Sequence, residues 1–155
     1  MKETATESRP RVCVLTGSFH PVVGGGERHA RLLCRELAAR GLLVHVLTRR
    51  RTPESARREE MDGFTVVRVG PSGFSRLGKY LMLPAACFQL WRLRKKYDVV
   101  YVAGLRVLGW AGMLAQACLG KPCVLRAEAR GEFSGEFIWK TPEGVIRLAP
   151  YLFFR

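Results

Sequence analysis

Short continuous apolar runs alternate along this chain with apolar positions spaced three and four residues apart. Arg11 to Thr16 (Arg-Val-Cys-Val-Leu-Thr) is a continuous apolar run of strand length, as expected of a parallel strand covered on both faces. After a loop from Gly17 to Gly25, residues Ala30, Leu33, Cys34, Leu37 and Ala38 recur at i, i+3, i+4, i+7 and i+8, the stripe of an amphipathic helix. Arg28, Arg31 and Arg35 lie on its opposite face, and Arg40-Gly41 supplies a terminal cation and a left-handed stop.

The alternation continues. Leu43 to Thr48 and Phe64 to Val69 predict strands, and the charged segment between them, Arg49 to Asp62, predicts a structureless loop. A helix is expected from about Pro84 to Lys96, with proline in its first turn and Leu83, Cys87, Leu90 and Trp91 on its apolar face. Val99 to Val102 is a short strand. Leu108, Ala111, Gly112, Ala115, Cys118 and Leu119 form another helical stripe, and Cys123 to Leu125 is a fifth strand. Five strands joined by helices imply an α/β fold: a Rossmann-like parallel sheet with helices on both faces. Thr141-Pro142-Glu143 has the cap, first-turn proline and early acid of one more helix. That helix is expected to run to Arg155 without a stop or a following strand, so the domain, residues 11–155, is expected to be incomplete at its C-terminus. Residues 1–10 are polar and are expected to form a flexible leader rather than a secretory signal.

Length and composition keep this picture at one domain, since 155 residues at 48% hydrophobic and 25% charged can bury a real core. Charge adds something the pattern does not. Lys and Arg number 26 against 13 Asp and Glu, giving +13, a field that draws phosphates, acidic lipid headgroups or nucleic acid without choosing among them. Nucleic acid is disfavoured by the lack of zinc spacing, an RNP sequence or a helix-turn-helix pattern. The longest apolar stretches, Leu81 to Trp91 and Val107 to Leu119, fall short of the ~20 residues of a membrane-spanning helix. The five cysteines are odd in number, lack a Cys-x-x-Cys pair and mostly sit in apolar runs, which predicts free thiols and a cytoplasmic setting.

In an open parallel sheet, ligands bind where strand carboxyl ends meet helix amino ends. That selects the loops Gly17 to Gly26, Ala103 to Arg106 and Arg126 to Glu136. The first delivers Gly24, Gly25 and Gly26 directly to a helix start, where backbone N–H groups can approach a diphosphate; a plain flexible turn explains a glycine triplet equally well. It does not match Gly-x-Gly-x-x-Gly, and Thr48-Arg49-Arg50 stands where a dinucleotide fold places an acid for the ribose, so a nicotinamide cofactor is disfavoured. No Gly-Lys-Ser/Thr is present in that loop either. His20, His29 and His45 are separated onto a loop, a helix and a strand and predict no metal site; His45 is assigned a structural place in its strand.

The segments LTGSFHPVVGGGERHARLLCRELAARGLLVHVLTRR, YDVVYVAG and GKPCVLRAEARGEFSGEF together resemble glycosyltransferase family 4 across about residues 11–155. The resemblance implies the N-terminal, acceptor-side half of a GT-B fold, in which two Rossmann-like domains face a cleft. It further implies transfer from a nucleotide-sugar donor to a glycan or lipid-linked acceptor, with retention and without metal or other cofactor, and it implies that the donor-binding C-terminal domain is absent from these residues. Carried over by position, Gly24, Gly25 and Gly26 would lie near the donor phosphates, and His20 would border the cleft with Arg106. Where many relatives have a histidine after the fifth strand this chain has Glu128, so that histidine's role does not transfer. Glu128, Arg130 and Glu132 offer hydrogen bonds to acceptor hydroxyls, against the plainer reading of solvated loop charges. Glu128 and Glu136 match the spacing of the family's Glu-x7-Glu donor motif, but that motif belongs to the other domain and the match is taken as chance.

Arg92, Arg94, Lys95 and Lys96 close the helix that begins near Pro84, and with Arg49 to Arg51 they make a candidate contact with an anionic membrane. Cations also simply suit a helix carboxyl end. A non-catalytic Rossmann-like scaffold that only binds partners stays open beside the enzyme.

Overall fold

The computed structural model describes residues 9–72, 76–105 and 107–128, with the backbone alone for 76–80. The chain runs β1 (Arg11–Thr16), α1 (Gly25–Ala39), β2 (Leu43–Arg49), β3 (Arg58–Met61), β4 (Phe64–Val69), α2 (Arg76–Leu93), β5 (Val99–Ala103), α3 (Val107–Leu119) and β6 (Cys123–Arg126). These form one six-stranded sheet in the order β3-β4-β2-β1-β5-β6. All neighbouring pairs are parallel except β3 with β4.

The strands sort their side chains by face. Cys13, Leu15 and Leu47 pack under α2 and α3 with Met82, Ala86, Leu90 and Ala111. Val12, Val14, Val44, Val46 and Val66 turn to the other face and pack under α1 with Ala30 and Cys34. Helices therefore cover both faces, as the continuous apolar strands require. The order has a physical cause: right-handed crossovers place α1 on one face while the chain moves outward through β2 and β4, then α2 and α3 on the other as it returns past β1 to β5 and β6. Direction reverses between β1 and β5, which opens a crevice at their carboxyl ends.

α1 ends where Gly41, at φ 85°, takes the left-handed conformation. Leu42 N–H reaches Leu37 O at 3.1 Å and Gly41 N–H reaches Ala38 O at 2.9 Å, closing the carbonyls left open at the helix end.

Four expectations need correction. The segment Arg49 to Asp62 is not wholly loop, because Arg58–Met61 pairs antiparallel with β4. Asp62 (φ 47°) and Gly63 (φ 84°) make the two-residue turn, a geometry suited to Asp-Gly between paired strands. The sheet therefore has six strands, one of them antiparallel, rather than five parallel ones. Finally, α2 starts at Arg76, so Pro84 lies inside the helix rather than in its first turn, and the helix stops at Leu93. The helix gives up one i to i−4 hydrogen bond there, and its packing against the core compensates. Trp91 also faces outward, 52% exposed, instead of joining the apolar face. The helix expected after Thr141 lies outside the described residues.

Candidate functional site

The loop from β1 to α1 is fixed from below and from the side. Phe19, 2% exposed, meets Phe64 edge-on at 6.0 Å, a burial that stabilises by about 1.5–3 kcal/mol. Val22 N–H closes a turn onto Phe19 O at 3.1 Å, and Thr16 Oγ1 donates to Ser18 O at 3.1 Å. From the side, Arg68 Nη2 donates to the carbonyl of His20 at 2.8 Å. The same guanidinium donates to Ala56 O at 2.9 Å and pairs with Glu59 at 2.7 Å. Arg68 thereby ties the His20 turn to the segment leading into β3.

With its stem held, the loop presents its glycines at the crevice. Gly24 is the N-cap of α1 in extended conformation, and its carbonyl accepts from Arg28 N–H at 3.0 Å. Gly25 and Gly26 form the first helical positions. N–H groups at such a start lack partners within the helix and carry roughly half a positive charge between them. Two carboxylates answer that charge. Glu27 stands in the first turn and accepts from the Ser18 hydroxyl. Glu128 comes from the far side, after β6: a side chain at Gly26 would begin 3.2 Å from Glu128 Oε1, and one at Gly104 would begin 3.4 Å from Glu128 Oε2. Gly104 itself sits at φ 95° after β5, its N–H donating to Arg126 O at 2.9 Å.

The three loops chosen from the sequence thus meet at one place, the reversal point of the sheet, with Glu128 between Gly26 and Gly104. Gly24, Gly25, Gly26 and Glu128 are brought together, and His20 is held on the loop that carries the glycines. Arg106, Arg130 and Glu132 lie outside the described residues. Arg126 and Arg68 join the site without a motif that marks them in the sequence. Arg126 Nη1 lies 2.6 Å from His29 Nδ1 and so joins β6 to the first turns of α1. The signal for Arg68 was one arginine inside the apolar run Phe64 to Val69.

Across the carboxyl ends of the strands runs a register row on the α1 face: Arg68, Thr48, Thr16, Ala103 and Arg126. Thr48 is fully buried, and its Oγ1 has no hydrogen-bond partner among the described residues. Arg49, the next residue on β2, is 4% exposed, and desolvation followed by the charge of Arg51 lowers its pKa from the ordinary arginine range. Arg50 is engaged with Ser55 O and Pro53 O. This arginine run is therefore folded into the protein rather than spread over a surface.

A mostly parallel sheet with this order and a glycine-rich helix start at its reversal point defines a Rossmann-like α/β domain. The glycosyl transferase 4-like domain model matches residues 24–150, and the chain belongs to that glycosyltransferase family. Its fold is similar to sucrose-phosphate synthase from Thermosynechococcus elongatus, with a TM-score of 0.72 at 18% identity over 92% of this chain. A second structure of that synthase, a part of the chain, gives a TM-score of 0.60 at 19% identity over 83% of this chain and 68% of its own. The chain spans only 39% of the first synthase's length. A comparison with curated protein sequences finds no match.

Proposed function

We propose that this chain is the acceptor-side half of a retaining hexosyltransferase that takes a sugar from a nucleotide-sugar donor and places it on a hydroxyl of a glycan or lipid-linked acceptor. A second Rossmann-like lobe would hold the donor across the crevice. The observation that carries this reading is the amino end of α1 at the reversal point of the sheet, where Gly24 to Gly26 place no side chain of their own over its amides and the space around Gly25 is open.

In this role the amides face the diphosphate as its bond to the sugar breaks, where preorganised donors are most effective. The reading assigns no protein-held metal, since the helix end supplies the positive partner. Glu128 accepts hydrogen bonds from acceptor or sugar hydroxyls, and with His20, Arg106, Arg130 and Glu132 it frames the acceptor side. The five cysteines form no disulfide, which supports a cytoplasmic setting.

Gly25 permits a clean test, because a side chain there meets nothing within 4 Å. In the two-domain protein, Gly25→Asp should leave the thermal midpoint within a degree or two while lowering kcat/KM for the donor by about 10- to 100-fold, as a carboxylate repels the diphosphate. The 155-residue chain alone should show little or no transfer. Unaltered kinetics in Gly25→Asp, or brisk turnover by the isolated chain, would count against the proposal.

A further inference from the structure

The outward face of α2 has a composition unlike that of a solvated helix. Leu81, Pro84, Phe88, Trp91 and Arg92 recur at i, i+3, i+7, i+10 and i+11, and every one is exposed, with Lys95 continuing the line past the helix end. Phe88 is 58% and Trp91 52% exposed, side by side with ring centroids 6.1 Å apart. The inner positions Met82, Ala86 and Leu90 are buried. A helix apolar on both faces is normally enclosed on both.

Charge selects what covers it. No acidic residue occurs between Asp62 and Asp98, and Asp98 is held by Arg11 at 2.6 Å. Arg92, Lys95 and Lys96 are exposed at the carboxyl end of the stripe, and Arg94 stacks on the Trp91 ring at 4.6 Å. Exposed aromatic side chains beside a cationic end, without a single carboxylate, match the interface of an anionic phospholipid bilayer: rings at the headgroup level, cations among the phosphates. We infer that α2 lies flat on an anionic membrane surface through Leu81, Phe88, Trp91, Arg92, Lys95 and Lys96. This differs from the contact expected from the sequence, since Arg49 is buried and takes no part. It is a surface contact, because no helix among the described residues is long and apolar enough to cross a membrane. α2 runs antiparallel to the strands, so its basic end points away from the crevice, which docking leaves open. The inference does not depend on the proposed transfer reaction.

Flotation of the whole chain with phosphatidylcholine vesicles, with and without phosphatidylglycerol, tests it. Binding should require phosphatidylglycerol and weaken with salt. The triple change Arg92→Gln, Lys95→Gln, Lys96→Gln should weaken it about 100-fold, at about fivefold per cation. Phe88→Ser with Trp91→Ser should abolish the part that survives high salt. Brominated lipid should quench tryptophan emission in the parent and markedly less in Trp91→Phe, a readout that holds even if the serine pair folds poorly. The inference is overturned by a parent that stays unbound on anionic vesicles at low salt, or by binding indifferent to all these variants. It is equally overturned if the stripe mediates self-association or nucleic-acid retention instead of lipid binding, or if a full-length protein with the stripe intact fails to float.

Discussion

Arg68 is a cation within an otherwise apolar strand, 3% exposed at its side chain, and it persists there because two carbonyls and Glu59 satisfy it. Removing a buried, paired charge strands its partners, but Glu59 is 38% exposed and recovers much of its hydration. Arg68→Met should therefore lower stability by about 2 kcal/mol in urea unfolding, and should loosen the His20 turn as seen by faster amide exchange at Val22. His45 poses a different problem. Burial, then the charges of Lys96 and Arg58, lower its pKa from the usual histidine range, with Glu60 opposing them. The folded state thus binds its proton less readily than the unfolded chain, so the contribution of His45 to stability is full above about pH 6.5 and is lost as pH falls through the lowered native value. The thermal midpoint of the parent should drop between about pH 7.5 and about pH 5 more steeply than that of His45→Gln. Equal slopes would show that His45 has no part in it. The thiols of Cys13 and Cys34 follow the same physics, pushed up to about 12 chiefly by burial.

At the level of elements, α3 owes its closeness to the sheet to one residue. A methyl group at Gly112 would come 2.6 Å from Cys123 Sγ and 2.7 Å from Val102 Cγ2, with Leu125 Cδ2 at 3.5 Å. Gly112→Ala should cost about 1–3 kcal/mol in denaturant unfolding with an unchanged m-value, since the helix must lift off β5 and β6 or displace those side chains. Gly25→Ala, with open space around it, should be nearly silent in the same assay. Elements were legible in the sequence where one physical signal dominated. The periodic stripe of α1 and the apolar run of β1 gave both elements closely. Pro84 mimics a helix start within α2, whereas the helix's packing face extends back beyond it to Met82. β3 was missed because Arg-Glu-Glu-Met lacks the usual strand composition; the Asp62-Gly63 turn was the available clue.

At the level of the molecule, fold class followed from the alternation of strand and helix signals, but the position of the crevice required the strand order, which no local pattern encodes. The glycines of the candidate site were visible as residue types. That Glu128 stands against both Gly26 and Gly104 was not, since that contact joins loops remote in sequence and adjacent only because β1 and β5 are neighbours. The hairpin of β3 and β4 has one more consequence. With Arg58 and Glu60 exposed along β3, that margin of the sheet is a poor template for another strand, because a newcomer would have to desolvate fixed charges. Recruitment of further strands is thus biased to the opposite margin, the β6 flank.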